Sequence, residues 1–305
     1  SATYLACTEE YTSYITSASF GRVIATTLEG SVERLSNTKP PGFISGSTQL
    51  ATIISGSFDS GFEFTGTIGK AVGVWSAGGN MITVRGGFGA AGLQNAALAI
   101  GSWFPNKSQT EEYNGSAWSA GGALIIARAA GASGGAMTSA LLTGGYSSCR
   151  QTELYDGTAW SETGDLIVGR YETAGDGTQN AFIMAGGTAP SNASASFTET
   201  FDGSTWSEVA DLITGRDQHG LAGTQNSAVA AGGINPAGAV SCTEEWNGST
   251  WASSVGMLVA RGGGSATGTQ NAALASGGSP QQNVGMCTEE YNGTSWSVGG
   301  ASSIY

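Results

Sequence analysis

The stretch Thr288-Glu289-Glu290-Tyr291-Asn292-Gly293-Thr294-Ser295-Trp296 recurs along the chain with the same order of residue types. Copies of it occupy residues 110–118, 152–160, 198–206 and 243–251. In every copy a short segment ends in an aromatic residue, Asn-Gly or Asp-Gly follows, and Trp opens the next segment. Asn-Gly or Asp-Gly between such segments predicts a hairpin with a type I′ turn, which requires positive φ at both central residues. A hairpin repeated at this period predicts a repeat fold.

Two fixed spacings extend the repeat. Arg follows ten residues after the Trp, and Gly follows seven residues after that Arg. Next comes a segment of small apolar residues, such as residues 269–275, which is closed by Gly277-Gly278. Each unit of about 42 to 46 residues therefore predicts four short strands. The repeat tryptophans are Trp75, Trp118, Trp160, Trp206, Trp251 and Trp296, and the repeat arginines are Arg85, Arg128, Arg170, Arg216 and Arg261.

The composition favours an all-β chain. The 305 residues include 50 Gly and 6 Pro, and no long apolar stripe has the 3.6-residue period of a helix. The formal net charge of −12, with only 11 Lys and Arg, argues against binding to nucleic acid or to an anionic membrane surface. No apolar run approaches the roughly 20 residues of a membrane-spanning helix, so no membrane insertion is expected.

The four cysteines are expected to be free thiols. Cys7, Cys242 and Cys287 each precede a Thr-Glu-Glu, and Cys149 lies close to the same position of its repeat. Equivalent positions of separate repeats should lie beyond the ~7 Å limit that the Cα atoms of a disulfide allow. No two of the cysteines have the spacing of a metal site. We therefore expect neither a metal nor a cofactor.

The order Gly-Gly, Tyr, a small turn and Trp, with Arg opening the next unit, resembles the kelch repeat, which forms one blade of a β-propeller. The resemblance covers residues 75–296 in five copies. It implies four-stranded blades that pack on each other around an axis, with small residues near the axis and Tyr and Trp in the wider gaps. We expect the propeller over residues 38–305, after an N-terminal extension over residues 1–37 that has strand-forming segments.

The repeats are less regular before Trp75. Residues 48–56 match the small-residue strand and residues 63–66 match the strand that ends in an aromatic, which predicts a degenerate sixth blade. A β segment outside the propeller is the alternative. Residues 8–11 repeat Thr-Glu-Glu-Tyr without a following turn and Trp. Such a strand could close the ring or add to the sheet edge of a neighbouring subunit.

Only the spacing from Gly-Gly to Trp varies between repeats. Insertions therefore collect in one loop of each blade, and these loops should share one face, where binding residues normally lie on a rigid scaffold. Plain solvated turns are the alternative. The loops are residues 103–108, 146–150, 188–196, 234–240 and 279–285, and the candidate binding residues in them are Trp103, Phe104, Tyr146, Arg150, Asn192, Asn235 and Gln281.

The sequence contains no recognisable catalytic motif. The single histidine, His219, has no counterpart in other repeats, and one loop histidine is more often a plain surface or core residue than a general base. Pairs such as Glu289-Glu290 suggest the paired carboxylates of glycoside hydrolysis, but neighbours on a strand face opposite ways. We expect instead that one carboxylate of each repeat meets the recurring Arg. No catalytic residue is assigned, and the protein is expected not to be an enzyme.

Gly-, Ser- and Thr-rich arrays with the phrases at residues 288–296 and 268–274 resemble predicted structural and tail-fibre proteins of marine tailed bacteriophages. Residues 19–23 and 42–47 also resemble segments of such fibres. The resemblance implies a protein of the virion surface or an appendage, whose loops bind a host-surface glycan, another virion protein or further copies of itself. Two alternatives stay open: a bacterial extracellular adhesin or filament subunit assembled by strand exchange, and a propeller enzyme that acts on glycans.

Overall fold

The structure of the chain is a computed structural model, which describes residues 9–12, 74–103, 107–147, 149–279 and 288–300. The regular elements of these residues are the β-strands β1 to β24. No helix among them is long and apolar enough to cross a membrane. Twenty of the strands form five antiparallel sheets of four strands each, which we number as blades 1 to 5.

Within a blade, each strand is hydrogen-bonded to the next in chain order, apart from a small two-stranded sheet inserted in blade 4. Blade 1 contains β3 (Gly89–Leu93), β4 (Ala96–Ser102), β5 (Lys107–Tyr113) and β6 (Trp118–Ala120); blade 2 contains β7 (Ala132–Ala136), β8 (Ser139–Thr143), β9 (Thr152–Tyr155) and β10 (Trp160–Glu162). Blade 3 contains β11 (Ala174–Thr178), β12 (Ala181–Ala185), β13 (Thr198–Phe201) and β14 (Trp206–Val209). Blade 4 contains β15 (Gly220–Thr224), β16 (Ser227–Ala231), β19 (Thr243–Trp246) and β20 (Trp251–Ser254), with β17 (Ile234–Asn235) and β18 (Gly238–Ala239) as the insertion; blade 5 contains β21 (Gly262–Thr269), β22 (Ala272–Ser279), β23 (Thr288–Tyr291) and β24 (Trp296–Val298).

Hydrophobic clusters fill the spaces between consecutive blades. Between blades 2 and 3 the fully buried Leu141 and Phe182 pack with Trp206. The innermost strands β3, β7, β11, β15 and β21 contact each other in that order. Sheets that pack in succession through their faces form a five-bladed β-propeller, so the expected all-β propeller of four-stranded blades is confirmed. The equivalent clusters contain Trp160 between blades 1 and 2, Trp251 between blades 3 and 4, and Trp296 between blades 4 and 5.

A further two-stranded sheet contains the strand of Trp75. In this sheet β1 (Glu9–Thr12) pairs antiparallel with β2 (Val74–Ala77), and Tyr11 lies opposite Trp75. The third and fourth strands of each blade pair in the same register, as Tyr291 lies opposite Trp296 in blade 5. The sheet therefore reproduces the outer half of a blade.

This pairing corrects one expectation about the N-terminal region. The Thr-Glu-Glu-Tyr copy does have a Trp strand, because β1 pairs with β2, the strand of Trp75. Residues 13–73, with most of the expected sixth blade, lie outside the described residues. The sequence missed the pairing because the two strands are far apart along the chain.

Every described blade contains a buried ion pair between its repeat Arg and the first Glu of its third strand. Arg170 binds Glu199, and both side chains are almost fully buried. The same carboxylate accepts hydrogen bonds from the backbone N–H groups of Ile167 (2.8 Å) and Val168 (3.3 Å). The expectation that one carboxylate per repeat meets the Arg is confirmed. The other pairs are Arg85–Glu111, Arg128–Glu153, Arg216–Glu244 and Arg261–Glu289.

The repeat tryptophans also join blades through hydrogen bonds. The indole of Trp206 in blade 3 donates to the hydroxyl of Thr152 in blade 2, at 2.9 Å. A buried indole N–H usually needs such a partner. The Thr of Thr-Glu-Glu therefore supplies the acceptor for the next blade. Equivalent bonds join Trp160 to Thr110, Trp251 to Thr198 and Trp296 to Thr243.

The turn after each aromatic residue is longer than the sequence predicted. Phe201 pairs with Trp206, so four residues form the loop, and only Gly203 has positive φ, at 100°. The carboxylate of Asp202 accepts hydrogen bonds from the backbone N–H groups of Ser204 and Thr205. The predicted type I′ turn is wrong, because the Asn or Asp side chain closes the loop in place of a second left-handed residue.

The two described cysteines, Cys149 and Cys242, are free, as expected. The Sγ atom of Cys242 accepts a hydrogen bond from the guanidinium of Arg216. Cys7 and Cys287 lie outside the described residues. The thiol at this repeat position therefore packs against the buried ion pair of its blade.

Candidate binding face

Antiparallel pairing places two sets of loops at the same end of every blade. These are the loops between the second and third strands and the loops that lead from one blade to the next. We call this end the variable-loop face, because it contains all the loops whose length varies. The hairpin turns lie at the opposite end. The variable loops of blades 2, 3 and 4 are described except for residue 148, and those of blades 1 and 5 only in part.

Three aromatic side chains from different blades meet on the variable-loop face. The rings of Trp103 and Tyr146 have centroids 5.2 Å apart, and those of Tyr146 and Tyr171 are also 5.2 Å apart. Tyr146 is 49% exposed, and the other two are partly exposed. We call these three side chains the aromatic row. Two of them are candidates from the sequence, whereas Tyr171 was missed.

A group of polar side chains adjoins the aromatic row. The carboxylate of Asp217 accepts hydrogen bonds from Ser194 (2.8 Å) and Thr188 (3.3 Å). The carboxylate of Glu172 accepts from Gln218 (3.0 Å) and lies 3.4 Å from the same Thr188 hydroxyl. We call these five side chains the polar cluster. They come from the variable loop of blade 3 and from the loops that enter blades 3 and 4.

Tyr171 and Asn192 connect the row with the polar cluster. The hydroxyl of Tyr171 donates to Oδ1 of Asn192 at 3.4 Å, and Tyr171 directly precedes Glu172 in the chain. Burial raises the pKa of the Tyr171 hydroxyl, and the negative charge of Glu172 raises it further. Tyr171 is therefore protonated at neutral pH and remains a hydrogen-bond donor.

The remaining sequence candidates are placed differently. Nε of Arg150 donates to the carbonyl of Leu166 at 2.7 Å, which joins two loops of the scaffold. Oδ1 of Asn235 accepts from the backbone N–H of Ala237 at 2.9 Å and so closes the turn of its own hairpin. Phe104 and Gln281 lie outside the described residues. The structure thus brings Trp103, Tyr146 and Asn192 together and leaves Arg150 and Asn235 in local roles.

An arc of backbone hydrogen bonds supports this face. The second residue after each repeat Arg has positive φ, and its carbonyl accepts from the N–H of the equivalent residue in the next blade. For example, Glu172 N donates to Ala130 O and Gln218 N donates to Glu172 O, both at 2.8 Å. The remaining bonds join Ala130 N to Gly87 O and Gly263 N to Gln218 O, also at 2.8 Å.

Left-handed backbone at residues other than glycine is concentrated here. Within the described residues such conformations occur at Ala130, Ser147, Glu172, Asn192 and Gln218, and all five lie in loops of the variable-loop face. Each costs of order 1 kcal/mol and persists only where the surroundings enforce it. Strain of this kind clusters at sites that bind ligands or partners. The backbone therefore marks the same face as the side chains.

His219 is a core residue, in line with the interpretation of the sequence that favoured a plain surface or core histidine. It is 5% exposed, and neither ring nitrogen has a hydrogen-bond partner among the described residues. Its pKa is lowered to about 3, mainly by burial and also by the nearby positive charges of Arg216 and Arg170. The neutral ring packs against Gly186 and the Cβ of His219 packs against Gly233, and a Cβ atom added at either glycine would collide with His219.

The fold and this face define the class of protein. The chain is a β-propeller of four-stranded antiparallel blades, with an aromatic and acidic surface on the face that carries the variable loops. No protein-family model matches the chain, and no match to a curated protein was found. In the described part of the chain, no three His, Cys, Asp or Glu side chains are grouped as metal ligands.

Proposed function

We propose that this protein is a kelch-like structural and binding protein of a bacteriophage virion surface or appendage, and that it acts without catalysis. Its variable-loop face would contact a host-surface glycan or another virion protein. The observation that carries the binding role is the coincidence on one face of the aromatic row, the polar cluster and the left-handed residues. The virion location rests on the resemblance of the repeats to phage fibre sequences.

Contact with another protein has separate support from the surface. The residue three positions before each repeat Arg is a branched aliphatic whose side chain is exposed, with exposed fractions between 43% and 62%. Contiguous exposed apolar patches mark protein contact surfaces, and a partner that spans several blades would contact one such side chain in each blade. They surround the variable-loop face once per blade. These residues are Ile82, Ile125, Ile167, Ile213 and Leu258.

Two experiments test the proposal. Cryo-electron microscopy of the particles with which the protein is isolated should show it seated on a capsid or tail, with the variable-loop face outward or against a neighbour. A free monomer in such material would contradict the virion role. Binding of the purified protein to a glycan array tests the host-contact role, and Tyr146→Ala should reduce any signal.

Hydrolysis of a glycan is the second candidate. Glu172 and Asp217 both lie within 3.4 Å of the Thr188 hydroxyl, so two carboxylates are close together beside an aromatic surface. A pair of carboxylates supplies the catalytic groups of most glycosidases. Turnover of any bound glycan that is abolished by Glu172→Gln or Asp217→Asn would establish this candidate. Assembly by strand exchange has less support, because β1 pairs within its own chain.

A further inference from the structure

The aromatic row is held in place before any ligand arrives. The backbone N–H of Trp103 donates to Gly86 O at 2.9 Å, and that of Tyr146 donates to Ala129 O at 2.9 Å. Gly87, with φ of 60°, leaves the space that the indole of Trp103 occupies, since a Cβ there would fall within the ring. Rings that are already ordered lose little conformational entropy when they bind a ligand.

Three consecutive rings make an exposed, partly apolar surface. The centroids advance in two steps of 5.2 Å, and the planes are tilted by 59° and 65°. Because neighbouring rings contact each other, they leave no cage between them for a cation, and at these tilts each exposed ring offers its own face to a ligand. The negative faces of aromatic rings attract the weakly positive C–H groups of a pyranose ring.

The polar cluster supplies acceptors for hydroxyl groups. A carboxylate can accept about four hydrogen bonds, and both Glu172 and Asp217 accept fewer than that from protein groups. Asn192 has an amide beside Tyr171 that can both donate and accept. Hydroxyl-rich ligands match this set, because each sugar hydroxyl is both a donor and an acceptor.

The charge of the site selects against anionic ligands. Glu172 and Asp217 both lie beside the aromatic row, and the whole chain has a formal net charge of −12. The six arginines of the described residues are engaged elsewhere, since five bind the glutamate of their own blade and Arg150 donates to Leu166 O. A carboxylate or sulfate on the ligand would therefore meet the like charge of Glu172 and Asp217, with which no arginine of the described residues forms an ion pair.

We infer that the aromatic row and the polar cluster form a binding site for uncharged oligosaccharides, which discriminates against sialylated, uronic and sulfated chains. This inference rests on the proposed binding function and specifies its ligand class. The pyranose rings lie on the aromatic row, and their hydroxyls bind Asn192 and Glu172, while the buried Asp217 holds Thr188 and Ser194 in place behind them. The site selects its ligand by its negative charge as well as by its contacts with the sugar rings and hydroxyls.

The test measures binding of the full chain to pairs of glycans that share one core and differ by a sialic acid or a sulfate. Wild-type protein should bind at least one neutral member roughly tenfold more tightly than its anionic counterpart. Tyr146→Ala should weaken binding of the neutral glycan by roughly tenfold. Leu93→Ala, which removes an exposed side chain at the hairpin end of blade 1, opposite the variable-loop face, is the matched control and should bind like wild type.

Glu172→Gln tests the charge argument separately. This variant keeps the shape of the side chain and removes one negative charge, so the preference for neutral over anionic glycans should shrink. Preference for the anionic members, or unchanged binding by Tyr146→Ala, would overturn the inference and leave the proposed binding function intact. Binding to no glycan would overturn both the inference and the glycan part of the proposed function.

Discussion

At the scale of single residues, the repeat Arg and Glu have a structural role as a buried ion pair. Arg170 and Glu199 are almost completely withdrawn from water, which is costly for both ions. Burial lowers the pKa of the Arg170 guanidinium, and the charge of Glu199 opposes that shift. The Glu199 carboxylate offsets part of this desolvation cost by accepting two backbone hydrogen bonds from the loop that enters blade 3.

We therefore expect Arg170→Met to lower the free energy of unfolding by about 3 to 5 kcal/mol, since it leaves a buried carboxylate without its cation. The double variant Arg170→Met, Glu199→Gln should lose less than the sum of the two single variants. Urea unfolding at neutral pH measures all three. Glu162→Gln, at an exposed position of β10, is the control and should change stability by less than about 0.5 kcal/mol. A loss below about 1 kcal/mol for Arg170→Met would contradict this account.

The buried His219 makes stability depend on pH. Its pKa is about 3 in the folded protein, against an ordinary value of about 6.5 in the unfolded chain. As pH falls below 6.5 the unfolded chain takes up a proton that the folded protein does not bind, so stability falls over that range. At pH 5 the loss from this group is about 2 kcal/mol relative to neutral pH.

His219→Leu should remove that contribution. The difference in unfolding free energy between pH 7 and pH 5 is expected to be smaller in the variant than in wild type by about 2 kcal/mol. Urea unfolding at both pH values measures the difference in each protein, so any uniform cost of the substitution cancels. Equal pH dependence of the two proteins would show that His219 does not titrate as its burial implies.

At the scale of elements, the third strands of neighbouring blades carry matched residues. Tyr155 in blade 2 donates to Glu112 in blade 1 at 2.5 Å, and Tyr291 in blade 5 donates to Glu245 in blade 4. Where the Glu position holds Leu154, the next blade has Phe201, which has no hydroxyl. The second Glu of Thr-Glu-Glu and the aromatic residue of the following blade thus form one inter-blade unit.

Introducing a Glu and a Tyr at the equivalent positions of blades 2 and 3 tests whether these two positions interact. Phe201→Tyr alone buries a hydroxyl without a partner and should cost about 1 to 3 kcal/mol. Leu154→Glu supplies the acceptor, so the double variant should be more stable than the sum of the single losses predicts, by about 1 kcal/mol or more. Denaturant unfolding of the four proteins measures the coupling. Strictly additive losses would mean that the two positions do not interact.

The strands and the ion pairs could be predicted from the sequence because both recur in every repeat. Arg216 and Glu244 stand at fixed positions of their repeat, and a pairing required in every blade leaves a periodic trace. The hairpin loop was mispredicted because Asn-Gly also suits a longer loop that the side chain closes. Tyr171 was missed because the other described blades have Gly, Ala or Asp at that position, so no repeat marks it. Its contact with Tyr146 joins loops of different blades and depends on the assembled ring.

At the scale of the whole molecule, each blade depends on its neighbour for the burial of one face. The described innermost strands form a series from β3 to β21, and the outer strands β1 and β2 stand apart from these five blades. Residues 8–11 carry the Thr, both Glu and the Tyr that the third strands use between blades. The sequence of β1 therefore predicts that it forms the third strand of a blade between blade 5 and blade 1.

This role predicts that β1 stabilises the propeller although it lies at the start of the chain. Deleting residues 1–12 removes the only strand that pairs with β2 among the described residues, so β2 loses its backbone hydrogen bonds to β1. We expect this deletion to lower the melting temperature by several degrees, in line with a loss of one or more kcal/mol. Deleting residues 1–7 is the matched control, because it shortens the chain and leaves β1 whole. Thermal unfolding followed by circular dichroism compares the two, and equal melting temperatures would show that β1 contributes nothing to the ring.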